Sequence, residues 1–144
     1  LIKCVNDVKD NYNNIIFDIS GIDDEFILKC DKNQITRAFQ NIIINSINSI
    51  NESEHNNSKG SINFNAHLEE NKFIINISDS GAGLKYEKEE LLKPYFTTRK
   101  KTGGTGLGLS IVEKILFDHD ADFEISNRND GHAGAIASIY FNSR

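Results

Sequence analysis

The chain has 144 residues, 38% of them hydrophobic and 26% charged, with a formal net charge of −5. This is the composition of one globular domain able to bury roughly two-thirds of its unfolded surface, so intrinsic disorder is excluded and a nucleic-acid surface is disfavoured. No apolar run approaches the ~18 residues of a membrane span and no signal peptide is visible, while Cys4, Cys30 and four scattered histidines make no metal-ligand spacing and read as reduced thiols and isolated side chains of a cytosolic protein.

Leu1–Asn14 carries Leu1, Ile2, Val5 and Val8 at helical spacing and predicts a short amphipathic helix. Ile15–Ser20 and Glu25–Cys30 read as strands around the turn Gly21-Ile22-Asp23-Asp24. Lys32–Ile50 is the clearest helix: Ile35, Phe39, Ile42, Ile43, Ile47 and Ile50 share one face, and Asp31 stands where an N-cap is expected. Asn51–Gly60 is a polar loop. Ser61–Leu68 alternates Ile62, Phe64, Ala66 and Leu68, and Lys72–Ser78 sets Phe73, Ile75 and Ile77 on one face, which predicts an antiparallel hairpin. Leu107–His119 is a second helix with Leu107, Ile111, Ile115 and Leu116 inward, and Asp122–Ser126 and Ala135–Phe141 are two more strands. Helices and mostly antiparallel strands in separate blocks predict an α+β fold, a two-layer α/β sandwich with helices on one face of a mixed sheet. The whole chain, 1–144, reads as a single domain, and its start at Leu1 without any methionine reads as a piece cut from a longer protein.

Three places carry chemistry. On the first long helix Asn41 and Asn45 are one turn apart, ~6 Å along the axis, with Asn48 beside them, on a stripe roughly opposite the isoleucines. Their amide oxygens are hard ligands that suit Mg2+, although a chain this rich in asparagine offers such stripes as plain solvated faces too. The second place is Asp79, which leaves a strand just before Gly81 and Gly83. A carboxylate held there accepts a hydrogen bond from an exocyclic amine such as N6 of adenine and rejects the O6 of guanine; a surface turn is the plain alternative. The third is Gly103, Gly104, Gly106 and Gly108 at the start of the second helix, where side-chain-free backbone makes an anion site, yet the spacing is neither a P-loop nor a Rossmann turn. Six of the ten glycines thus lie between Gly81 and Gly108, and the stretch Leu84–Thr102 between the two clusters has the length of a lid. It pairs an apolar patch (Leu91, Leu92, Tyr95, Phe96) with Arg99, Lys100 and Lys101, which either reach phosphate or stay solvated.

In their order, these segments resemble the ATP-binding domain of bacterial sensor histidine kinases, the GHKL or Bergerat fold shared with gyrase, MutL and heat-shock chaperones. Asn41–Ile50 looks like the N box, Asp79–Gly83 like the first glycine box, Pro94–Thr98 like the F box and Thr102–Ile115 like the second glycine box. The Pro-Tyr-Phe-Thr-Thr-Arg form further resembles the nitrogen-regulatory NtrB/NtrY type. The resemblance implies that Asn45 holds Mg2+ on the phosphates of ATP with Asn41 in support, that Asp79 binds the adenine amine, and that Gly81 and Gly83 shape the base pocket. It implies further that Gly103, Gly104, Thr105, Gly106, Leu107 and Gly108 face the phosphates, that Phe96 docks the lid, and that Thr97, Thr98, Arg99 and Lys100 approach the nucleotide. Asn48 stands where many members carry a cation, Ser46 where Ala is usual, and His119-Asp120-Ala121 and Ala133-Gly134 replace the usual His-Gly-Gly and Gly-Gly.

The family's phosphoacceptor histidine, followed by Glu or Asp on a helical hairpin, has no counterpart here, so no catalytic side chain is assigned within the chain. The implied whole is a two-component kinase that passes the γ-phosphoryl of Mg·ATP to a histidine on its own dimerisation domain, for relay to a response regulator. It would be a homodimer whose cytosolic catalytic domain is anchored to the inner membrane only through other segments, with no nucleic acid among its partners. The competing readings are a nucleotide-sensing module without phosphotransfer and an ATP-hydrolysing machine of the gyrase kind. The second is disfavoured because Asn41 occupies the place of that branch's general-base glutamate.

Overall fold

The computed structural model describes residues 1–22, 27–53, 59–93 and 108–142. In chain order these form α1 (Ile2–Val8) with a 3-10 turn at Lys9–Asn11, β1 (Ile15–Ile22), α2 (Lys32–Glu52), β2 (Gly60–Glu69), β3 (Lys72–Asp79), a one-turn α3 (Lys88–Leu91), α4 (Gly108–Asp118), β4 (Ala121–Asn127) and β5 (Ala135–Asn142). The strands make one sheet in the order β1-β2-β3-β5-β4. Only β1 and β2 run parallel; the other three pairings are antiparallel. The mixed, mostly antiparallel sheet is the one expected.

The pleat decides the layers, because alternate residues of a strand point to opposite faces. Ile62 and Phe64 of β2, Ile75 and Ile77 of β3, and Ala137 and Ile139 of β5 all join one core with the buried stripe of α2 and with Val112, Ile115 and Leu116 of α4. Each fully buried Ile, Leu or Phe contributes ~1.5–3 kcal/mol, so this one face supplies most of the stability. α2 packs on β2 and β3, α4 on β4, and the two helices pack on each other. The opposite face of the sheet carries polar pairs such as Ser138 and Asn76, whose hydroxyl and carboxamide oxygen lie 2.7 Å apart. Among the described residues no helix is long and apolar enough to cross a membrane.

Asp31 caps α2 as its position suggested: its Oδ1 accepts from the N–H groups of Asn33 (3.0 Å) and Gln34 (3.1 Å). His119 ties the end of α4 to this cap. The Asp31 N–H donates to its Nε2 at 3.1 Å and its Nδ1 lies 2.7 Å from the Ile115 carbonyl, a pair of contacts that requires the Nδ1–H tautomer.

Four expectations are corrected. Over its described part the expected strand Glu25–Cys30 is not formed: residues 27–29 are irregular and Cys30 lies in a bend, while Glu25 and Phe26 lie outside the described residues. Gly21 and Ile22 continue β1 instead of turning, because β1 finds its partner in β2, across the first long helix, and not in a local hairpin. Ile27 is accordingly 96% exposed, with no sheet neighbour to cover it. The first helix is shorter than Leu1–Asn14, and Leu68 is 56% exposed, lying beyond Ala66, where the pairing of β2 with β1 ends.

Candidate functional site

A cavity of about 170 Å3 opens between α2, the ends of β3 and β5, and the turn that follows β3. Its floor is apolar, with Ile42, Ile77, Ile125 and Ala137; Asn45, Ser46, Ser49 and Asp79 form its polar side; Gly83, Leu84, Tyr86, Leu91 and Leu109 line the rest. A larger groove of about 570 Å3 runs beneath α1, lined by Leu28, Phe39 and Phe73, but its ionisable side chains Lys3, Asp7 and Lys32 are exposed. Few convergent polar groups over an apolar floor make the smaller cavity the candidate binding site.

Asp79 is its centre. The alternation that sends Phe73, Ile75 and Ile77 into the core also sends Asp79 inward, so a carboxylate ends a hydrophobic face. It is 4% exposed, the one buried carboxylate among the described residues. Its Oδ1 accepts from the N–H groups of Gly81 (2.9 Å) and Ala135 (3.3 Å), and Ser46 supplies a side-chain hydrogen bond. Burial holds its carboxyl above the ordinary value of 3.8, against the downward pull of those three bonds and of the Arg128 charge. Arg128 itself donates to the Asp79 main-chain carbonyl at 3.2 Å.

The glycines are required by close approach. A Cβ on Gly81 would stand 2.2 Å from Ser49 Oγ, and one on Gly134 only 1.8 Å from the Asp79 carbonyl oxygen. Gly83 has φ +81, a conformation that favours glycine.

The predicted site residues separate into three groups. Asn45, Asp79, Gly81 and Gly83 meet around the cavity, and Gly108, the first residue of α4, lies beside them, with Asn45 Nδ2 at 3.8 Å from where its Cβ would stand. Asn41 and Asn48 are half-buried but do not line the cavity, since both sit on the flank of α2 away from Ser46. Asn41 and Asn48 keep to the side roughly opposite the isoleucine face, as expected, while Asn45 stands at the margin of that face, next to buried Ser46. Phe96, Thr97, Thr98, Arg99, Lys100, Gly103, Gly104, Thr105, Gly106 and Leu107 lie outside the described residues. The sequence reading passed over Ser49, which comes close to Gly81, and Arg128 and Ala135, which bond Asp79 from distant segments; Ser46 and Ser49 were legible in principle, being one and four residues beyond Asn45.

No group of three His, Cys, Asp or Glu side chains suited to a metal exists among the described residues. On the α2 side of the cavity, next to the start of α4, Asn45 offers one amide oxygen. It fits an ion such as Mg2+ that takes most of its shell from phosphate and water, and fits no ion needing a protein cage.

The family described as histidine kinase-, DNA gyrase B- and HSP90-like ATPases matches residues 30–143. An NtrY-like sensor histidine kinase of Rickettsia bellii is 33% identical over 131 residues, covering 90% of this chain and 20% of that protein. The chain thus spans about a fifth of the length of this curated relative. Among solved structures, the nucleotide-free catalytic domain of histidine kinase ThkA aligns with a TM-score of 0.78 at 25% identity, covering 99% of this chain and 89% of that one. ThkA in complex with the response regulator TrrA aligns with a TM-score of 0.77 at 21% identity, covering 99% and 39%. With the fold, the buried carboxylate and the glycine turn after β3 in place, the chain belongs to the histidine kinase-, DNA gyrase B- and HSP90-like ATPase family.

Proposed function

We propose that this chain is the ATP-binding catalytic domain of a two-component sensor histidine kinase of the NtrY kind, and that it presents the γ-phosphoryl of Mg·ATP to a histidine on another domain of the same protein. The observation that carries the reading is Asp79: a carboxylate is kept 96% out of water at the end of an apolar cavity, at a cost to the empty fold. Such an arrangement is explained by a ligand that brings a hydrogen-bond donor, and the N6 amine of adenine is that donor. The apolar lining of the cavity, with Ile42, Ile77, Ile125 and Leu84, takes the base on this reading, and Gly81 lets the turn pass close to α2.

Asn45 lies at the α2 side of the same cavity, next to the start of α4. Its amide oxygen would hold Mg2+, which neutralises phosphate charge when bound. The catalytic contribution of this chain is positioning and charge stabilisation, as in other phosphoryl transfers. The basic residues Arg99 and Lys100, the glycines from Gly103 to Gly106, and Phe96, Thr97, Thr98, Thr105 and Leu107 complete the phosphate side on this reading, with Asn41 and Asn48 in support from α2. The parent protein supplies the phosphoacceptor and dimerisation domain, works as a homodimer anchored to the inner membrane through other segments, keeps this domain in the cytosol, and relays the phosphoryl to a response regulator. The family name and the kinase names of the relatives support this assignment.

The test is phosphotransfer. The chain is mixed with the parent's phosphoacceptor domain and γ-labelled ATP with Mg2+, and acid-labile, base-stable label is sought on that domain. Nucleotide binding without any phosphohistidine would reduce the chain to a nucleotide-sensing module, and absence of nucleotide binding would remove the reading altogether.

A further inference from the structure

The β4–β5 hairpin grips the turn after Asp79 at several points, and one of them has no part in contacting a ligand. Asn127, the last residue of β4, accepts from the Leu84 N–H through Oδ1 at 2.6 Å and donates to the Leu84 carbonyl through Nδ2 at 3.3 Å. One carboxamide thus pairs both backbone groups of one residue, as a neighbouring strand would, across 43 positions of sequence. Asn127 is exposed and does not line the cavity, whereas Leu84 does. A Cβ on Gly83 would stand 2.7 Å from Asn127 Oδ1, so the contact also excludes a side chain there.

The partner of Asn127 on the neighbouring strand is Ala135. Ala135 is the residue whose N–H holds Asp79 Oδ1. One rung of the sheet therefore holds two lining residues of the cavity: its β5 member bonds the carboxylate of Asp79, and its β4 member bonds the backbone of Leu84. The spacing between them follows from the ladder and not from the turn itself, which begins with two glycines in three residues.

Resting on the nucleotide reading above, we propose that Asn127 is a positioning residue that sets the width of the base slot by latching Leu84. It touches no ligand. Loss of the latch frees the wall while Asp79, its three bonds and the choice of adenine over guanine persist. The binding cost is then an ordering cost, met each time the base closes the slot.

The experiment measures ADP affinity by calorimetry for the wild-type chain, Asn127→Ala, Asn127→Asp and the control Asn142→Ala. Asn142 donates a comparable bond, Nδ2 to the Asp120 carbonyl at 3.3 Å, at the other end of the same strand pair. Asn127→Ala is expected to raise the ADP dissociation constant about tenfold, the scale of one or two neutral hydrogen bonds, with the ADP-to-GDP preference unchanged. Asn127→Asp keeps the acceptor and loses the donor, and should fall between wild type and Asn127→Ala. Asn142→Ala should leave affinity unchanged. Amide hydrogen exchange at Leu84 should accelerate in Asn127→Ala and not in Asn142→Ala, a readout that general loss of stability would not separate. ADP binding by Asn127→Ala within twofold of wild type, or equal loss in both alanine variants, overturns the proposal while leaving the nucleotide reading intact. A wild-type chain that binds no ADP overturns the nucleotide reading and this one with it.

Discussion

Asp79→Asn separates what the buried carboxylate does for the ligand from what it does to the fold. Asparagine is nearly isosteric, and its carbonyl oxygen still accepts from the Gly81 and Ala135 N–H groups that now hold Oδ1 at 2.9 and 3.3 Å. What goes is the negative charge facing the cavity. A hydrogen bond to a charged partner contributes ~1.5–3 kcal/mol, so ADP and ATP affinity should fall by about 10- to 150-fold. The carboxamide also carries donors that a carboxylate lacks, and guanine O6 accepts them, so the preference for adenine over guanine nucleotides should narrow as well. Stability should move the other way. Burial raises the Asp79 carboxyl above 3.8, so the folded state favours its protonated form. A carboxyl raised in this way contributes stability that is present below pH 3.8 and lost as pH rises through its folded value; at neutral pH the ionised group burdens the ligand-free chain. The empty Asp79→Asn chain is therefore expected to melt no lower than wild type at pH 7, and higher if Asn Nδ2 finds Ser46 Oγ. Calorimetric titration with ADP, ATP and GDP, paired with thermal unfolding without ligand, reads both effects. An unchanged ADP affinity refutes adenine recognition by Asp79. A variant that melts far below wild type refutes the claim that the charge is held at a cost.

The same carboxyl predicts a pH dependence: the affinity ratio of wild type to Asp79→Asn for ADP should shrink on acidification, starting above pH 3.8, and a constant ratio down to pH 4 would contradict the raised value. Gly134→Ala would drive a methyl group to 1.8 Å from the Asp79 carbonyl at φ +127, so we expect ~3 kcal/mol or more of lost stability in urea unfolding, with nucleotide binding impaired as Ala135 shifts. Asp31→Ala orphans the N–H groups of Asn33 and Gln34 and should cost ~1 kcal/mol, a fall of about 4 °C in melting temperature, with ADP affinity unchanged because the cap lies at the far end of α2.

What the sequence determined by itself was local. The isoleucine stripe of α2 and the alternation in β2 and β3 announced a helix and a hairpin because a single repeating geometry buries each set. Asp31 announced its cap, and the order of asparagine, aspartate and glycine segments announced the family. Only tertiary structure decided that β1 pairs with β2 in parallel, leaving Ile27 exposed where a strand was expected, since pairing across a helix leaves no local trace. It decided that Asn45 reaches the cavity while Asn41 and Asn48 stand aside, because that choice depends on where β3 ends against the helix. It also brought Ala135, Arg128 and Asn127 to a turn some fifty positions earlier in the chain. A hydrogen bond between strand ends is a fact of three dimensions: residue type permits it, and only the ladder that aligns β3, β5 and β4 makes it happen.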